Sequence, residues 1–255
     1  MIYYNTSEPN KYNYLKKEIF PYKTCYTKKR YGGKHDGSYV FLEELINDTN
    51  FIYSYGINTG MDAIKFDLEM AENGKIVFMY DGSIEQPSYI HKNFRFTKEF
   101  VTTNNLYKHL EQNLHLNETR MALKIDIDGN EYELFNNNIE FISKHFNQIS
   151  LELHSLIEEY PQEWKVDDLN LSIMKNKEIK KLFFKNINKY YNIIHIHANN
   201  HGPRYIDFPG ALEILFLRKD YEILDIDNQR YPIENLDYQN YLGREDYVLD
   251  WWVYN

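Results

Sequence analysis

The chain has 255 residues, 43% of them hydrophobic and 16% aromatic, with a net charge of −9. That length suits one large α/β domain rather than several, and the apolar content is ample for its core. The single Cys25 excludes an internal disulfide and a cysteine-based metal cluster. The acidic balance and the lack of a basic stripe in the linear order argue against general nucleic-acid binding. No apolar run approaches the ~18 residues that a membrane span requires, and the first residues, MIYYNTSEPNK, lack the order of a signal peptide. The cytoplasm is the expected setting.

In chain order, a helix is predicted over Tyr12–Phe20, stopped by Pro21. Lys28-Lys29-Arg30 reads as a solvated basic cluster that could also meet a substrate phosphate. Tyr31-Gly-Gly-Lys-His-Asp-Gly-Ser-Tyr-Val40 reads either as a hairpin turn or as a loop beside a ligand. Residues 1–45 are taken as a cap and loop over the core.

Phe51–Asp81 carries the main signal. Phe51–Tyr55 is an aromatic strand, Gly56 and Gly60 bracket a turn with Asn58, and Met61–Ala71 is helical. Asn73-Gly74 stops that helix, and Lys75–Tyr80 is a second strand ending on Asp81. This is a mononucleotide-binding βαβ half, in which an acid about 20 residues past the turn can hold a ribose diol. Gly-x-x-x-Gly is not the dinucleotide fingerprint, and a βαβ unit without a ligand remains the alternative.

After a loop over Gly82–Asn93, strands are predicted at Phe94–Thr102, from Met121 toward Gly129, and at Gln148–Leu153, Asn192–His197 and Ala211–Leu217. Helices are predicted at Leu106–Leu114, Tyr132–Phe146 and Leu169–Tyr191. Strands alternating with helices predict a Rossmann-like, doubly wound α/β fold. Its sheet is mostly parallel and seven-stranded, with helices on both faces, a core over residues 46–218 and a tail over 219–255. The last strand pair is expected to carry an antiparallel edge.

Polar pairs two residues apart sit at three strand ends: Asp126 and Asp128, Glu152 and His154, His195 and His197. Each pair faces one side of its strand, and buried acids need partners. Together they can hold a divalent cation or supply a general base, with helix capping or strand-end solvation as the bland reading.

Tyr55-Gly-Ile-Asn-Thr-Gly60 followed by Asp81 resembles the cofactor site of class I S-adenosylmethionine methyltransferases. Leu123-Lys-Ile-Asp-Ile-Asp-Gly-Asn-Glu-Tyr-Glu133 resembles the "LKxDIEGxEYE" segment of FkbM-like and related sugar O-methyltransferases. Ile149–His154, His195–His201 and His35–Val40 resemble further segments of those families. Two departures stand out: Tyr55 replaces an acid before the first glycine, and Asp128 replaces a glutamate.

The resemblance implies methyl transfer from S-adenosylmethionine to a sugar hydroxyl. Asp36, Gly56, Asn58, Gly60, Asp81, Gly82 and Asp126 would contact the cofactor, and Asp126, His154 and His197 would serve the acceptor. A base, His154 or His197, is one route; a magnesium or manganese ion on Asp128, Glu152 and His154, with Asp126 as an alternative ligand, is the other. The expected acceptor is a nucleotide-activated sugar for capsule or lipopolysaccharide synthesis. A Rossmann-type oxidoreductase is the rival enzyme. A glycan-binding module is the rival without catalysis, with Trp251, Trp252 and Tyr254 stacking on sugar unless the tryptophans pack internally. Monomer and homo-oligomer both stay open.

Overall fold

Alternation along the strands sets the layers of this computed structural model, which describes residues 10–34, 36–57, 63–158 and 168–253. Ile52, Val77, Met79 and Ala122 enter one apolar cluster, while Tyr53, Tyr55, Phe78, Tyr80, Leu123 and Ile125 enter the other. A period of two on strands buried from both sides requires cover on both faces. The first face is covered by helices α2 (Glu43–Asp48) and α3 (Lys65–Glu72) and by a hairpin of β1 (Lys28–Tyr31) and β2 (Tyr39–Leu42). The second is covered by α1 (Asn13–Lys16), α4 (Leu106–Gln112), α5 (Glu131–His145), α6 (Asp168–Lys175) and α7 (Lys177–Ile187).

The main strands are β3 (Phe51–Tyr55), β4 (Ile76–Tyr80), β5 (Phe94–Thr97), β6 (Met121–Ile125), β7 (Phe146–Leu153), β8 (Tyr191–Ala198) and β11 (Leu212–Arg218). A short hairpin, β9 (Arg204–Tyr205) with β10 (Phe208–Pro209), lies between the last two. The seven-stranded sheet runs β5-β4-β3-β6-β7-β11-β8, and β11 is antiparallel to both neighbours. The expected Rossmann-like, mostly parallel α/β sheet is therefore present. The antiparallel strand is not at the edge, however; it is inserted between β7 and β8.

Several element boundaries differ from expectation for local reasons. Helix α1 spans only Asn13–Lys16 and has no side-chain cap, so it forms because Tyr12, Leu15 and Ile19 bury against the core. The predicted helix over Leu169–Tyr191 is two helices. Asn176 breaks it, its side chain accepting from Ile179 N–H at 3.1 Å to cap α7. Strand β5 stops at Thr97 and alternates between half-buried and exposed, as an edge strand does.

The basic run at 28–30 is not solvated throughout. It is a strand, and the Arg30 side chain is 4% exposed. The tail bridges back through Tyr22 with Ile226. Trp251 Nε1 donates to Ile19 O at 2.8 Å and Trp252 Nε1 to Asp227 O at 2.7 Å. The tryptophans thus pack internally, and Tyr254 lies outside the described residues. Among the described residues no helix is long and apolar enough to cross a membrane.

Candidate functional site

Strand β3 pairs with β4 on one side and β6 on the other. The winding direction reverses there, which opens a crevice beyond the strand carboxyl ends. Gly56 leaves β3 with φ +73°, and a Cβ on it would lie 1.6 Å from the Asp126 carbonyl oxygen. Only glycine lets the two strand ends approach so closely. Gly56 N–H donates to Tyr80 O at 3.0 Å, and the Lys124 ammonium holds the Gly56 carbonyl.

Asp81 sits beside this turn. Its Oδ2 accepts from Ile57 N–H at 2.8 Å, and its Oδ1 accepts from Ser83 N–H and Oγ–H at 2.7 and 2.6 Å. Gly82 lies under the exposed Phe100, whose ring a Cβ would meet at 2.4 Å. Asn58 and Gly60 lie outside the described residues.

Next to the turn, Asp126, Glu152 and His154 offer ligand atoms all within 4.8 Å of one another. Tyr39 Oη–H donates to Asp126 Oδ2 at 2.9 Å, and the buried Lys124 ammonium is 3.8 Å from the same oxygen. His154 Nε2 is 3.5 Å from Glu152 Oε1 and 3.8 Å from Asp126 Oδ1, while its Nδ1 is 3.1 Å from Glu131 Oε1.

Glu131 is fully buried at the start of α5 and also accepts from Ile127 and Gly129 N–H. It fixes both the loop and the imidazole. Burial opposes a charged His154, but Glu131, Glu152 and Asp126 outweigh it and hold the imidazole well above its ordinary value. Burial first, then Asp126, pushes Glu152 well above the usual carboxylate range. Asp128 is 89% exposed and 3.9 Å from His154 Nε2, outside the three-residue cluster.

A second cluster flanks the first. Strand register sets Glu213 opposite both Glu152 and His197, and Asp36, Glu152 and Glu213 bring carboxylate oxygens within 4.8 Å. Asn240 Nδ2 donates to Glu213 at 2.6 Å and to Asp36 at 3.1 Å, and Asn199 Nδ2 donates to Glu152 at 2.7 Å. Burial pushes Asp36 above the usual carboxylate range, against the Asn240 hydrogen bond.

Arg30 bonds Glu213 at 3.2 Å and reaches Asp237 at 3.5 Å. Burial would raise Glu213, yet Arg30 and His197 hold it down at about 2. Both ring nitrogens of His197 face carboxylates, Glu213 at 3.2 Å and Asp246 at 3.1 Å, which against burial raise it to about 10. His195 Nε2 pairs with Asp237 at 2.7 Å.

The structure thus gathers Gly56, Asp81, Asp126, Glu152 and His154 at one rim, with Asp36 and His197 beside them, joined to the cluster through Glu152 and Glu213. Sequence reasoning missed Arg30, Tyr39, Glu131, Glu213, Asp237, Asn240 and Asp246. Two of these had a usable signal: Glu131, the acid two residues after Gly129 in the Lys124–Glu133 segment, and Tyr39, within the His35–Val40 segment.

No protein-family model and no curated protein matches the chain. Among solved structures, it is similar to a hemolysin candidate from Streptococcus thermophilus, with 10% identity, 73% of each chain covered and a TM-score of 0.42. It is also similar to a chain of the fibrillarin/Nop5p complex, with 12% identity over 66% of this chain and 72% of that one, at a TM-score of 0.39. Likeness at this level carries no argument about activity.

Proposed function

We propose that the protein is a methyltransferase that moves a methyl group from S-adenosylmethionine to a sugar hydroxyl, its whole length forming one catalytic domain around a core at 46–218. One observation supports this most: the Asp126, Glu152 and His154 cluster stands directly beside the Gly56 turn and Asp81, at the reversal of strand order. An acceptor in the cluster would face a nucleoside held by the turn.

When bound, S-adenosylmethionine supplies a methyl carbon already activated by its sulfonium. Asp81 would hold the ribose, and Gly56 would admit the methionine part against bare backbone. Asp126, fixed by Tyr39 and Lys124, would orient the acceptor hydroxyl in line with the methyl carbon. As the oxygen–carbon bond forms, the hydroxyl proton must leave.

The surrounding carboxylates favour the protonated form of His154, so Glu152, whose proton affinity burial and Asp126 raise, is the group placed to receive the hydroxyl proton. His197, engaged at both nitrogens, acts as a fixed cation between Glu213 and Asp246.

The same cluster fits a divalent cation by its donor chemistry: two carboxylates and an imidazole whose other nitrogen is backed by a buried carboxylate. Asp126, Glu152 and His154, the last giving up its Nε2 proton on binding, would hold magnesium or manganese, which would bind a sugar diol and lower the hydroxyl pKa.

The test is labelled S-adenosylmethionine with a panel of nucleotide sugars and free glycosides. Transfer by the native protein, a raised cofactor KM in Asp81→Ala and a lost kcat in Glu152→Gln are expected. Activity that survives exhaustive EDTA treatment removes the cation from the scheme. No transfer, with thermal stabilisation by a nicotinamide dinucleotide but not by S-adenosylmethionine, refutes the reading in favour of an oxidoreductase.

A further inference from the structure

Helix α7 and the turn after it carry a row of charge that linear order disguises. Lys177, Lys181, Lys185 and Lys189 recur every fourth residue and are all exposed. Successive members are offset by about 40° around the axis, so the row slants across the helix surface over roughly 18 Å of rise. Lys17, just past α1, stands across from them. Lys17, Lys181, Lys185 and Lys189 line one groove of about 560 Å³ with Tyr14, and Glu18 is the only carboxylate among the lining residues.

Little of this charge is neutralised. Lys181 pairs with Glu178 at 2.8 Å and Lys189 bonds only the Asn186 amide oxygen. Lys17 and Lys185 have no carboxylate partner among the described residues. Four cations against one anion on the lining are unusual in a chain whose net charge is −9. The Tyr14 ring lies 5.6 Å from the Lys181 ammonium and 6.0 Å from that of Lys177, and its buried hydroxyl has no hydrogen-bond partner among the described residues. The larger groove between Lys23–Lys28 and Asp227–Leu236 has no such excess, because Asp227 already faces Lys28 at 3.5 Å.

We propose that the α1/α7 groove binds a single-stranded polynucleotide through its phosphodiester backbone. Lysines recurring every fourth residue along one wall of the groove match a chain that repeats one negative charge per unit. The row is longer than a single phosphate needs. Both walls carry lysine, so a strand lying in the concavity meets cations from two sides, whereas a flat anionic bilayer reaches only the outer tips. An aromatic ring in a basic groove is the usual companion of such a track, because every base has a π-face. This inference does not rest on the methyl-transfer reading.

The experiment is fluorescence anisotropy of the full chain with a labelled oligouridylate of roughly 12 nucleotides, a length within known strand site sizes, across a salt series starting at about 50 mM. Three or four lysine–phosphate contacts predict a slope of about −2 to −3 in log K against log salt. The double reversal Lys185→Glu/Lys189→Glu should weaken binding at least about tenfold, with unchanged thermal stability. No binding at low salt, a salt-independent affinity, or an affinity untouched by the reversal overturns the proposal. Co-sedimentation with phosphatidylglycerol vesicles without oligonucleotide binding overturns it in favour of a membrane surface.

Discussion

Gly56→Ala tests the geometry on which the rim depends. The alanine Cβ would sit 1.6 Å from the Asp126 carbonyl oxygen and 2.7 Å from its carbon, both backbone atoms that no rotamer change can move. The residue would also hold φ +73°, which costs an L-residue about 1–2 kcal/mol. Forcing β3 and β6 apart adds about 1–3 kcal/mol, as overpacking does. A total of about 2–5 kcal/mol corresponds to a fall in Tm of roughly 4–20 °C for a chain of this size.

Gly74→Ala is the internal control. It has φ +83° but open space around its Cβ position, so only the conformational cost of about 1–2 kcal/mol remains. Differential scanning calorimetry of both variants separates clash from backbone strain. Equal Tm losses in the two variants, or a Gly56→Ala protein as stable as the native one, would refute the close approach of the strand ends. Cofactor binding by calorimetry should fall in Gly56→Ala and be unchanged in Gly74→Ala.

Two further outcomes concern buried charge. Burial raises the Asp67 carboxyl to about 6, although Lys124 pulls it down. An acid with a raised folded value loses stability as pH climbs from its unfolded value near 4 to about 6. Asp67→Asn should therefore be more stable than native by on the order of 3 kcal/mol at pH 7.5 and similar at pH 4, measured by urea unfolding. His197 has the opposite sign: raised to about 10, it contributes stability fully present below its unfolded value near 6.5 and lost as pH rises toward 10. Asp246→Asn should flatten that alkaline decline in unfolding free energy, and an unchanged slope would show that Asp246 does not hold the imidazolium.

Much of the sheet was readable because its strands are apolar on both faces and its turns are marked by glycine. Within Phe51–Asp81 both strands formed as expected, while the helix runs over Lys65–Glu72 and leaves Ala63 and Ile64 in a turn; the strand before Asp126 is shorter than expected and the helix after it formed. The acid two residues earlier in register proved the nearer neighbour of His154: β6 ends at Ile125, which leaves Asp126 at the rim and sends Asp128 out to solvent. Arg30 was hidden because a basic run looks solvated until its partners are known, and Glu213 and Asp237 lie more than 180 residues away. Glu213 looked like an isolated acid in an apolar strand; strand direction alone decides whether such a residue meets the rim or the opposite end. Asp246 and Asn240 come from an irregular tail without periodicity, so nothing in their local pattern could place them. The break at Asn176 was a contest between a continuous helical pattern and one side-chain cap, which periodicity cannot judge.

The reversed direction of β11 has an architectural consequence. Every other strand of the sheet delivers its chemistry through the peptide that leaves it, but this one delivers Glu213 through the peptide that arrives. The connection over 199–211, with its own small hairpin, is therefore anchored at both ends to the reactive edge. Reshaping that connection would alter the reactive edge while leaving the bonds of the seven-stranded sheet in place, and the segment after Arg218 returns to the same edge through Asn240 and Asp246.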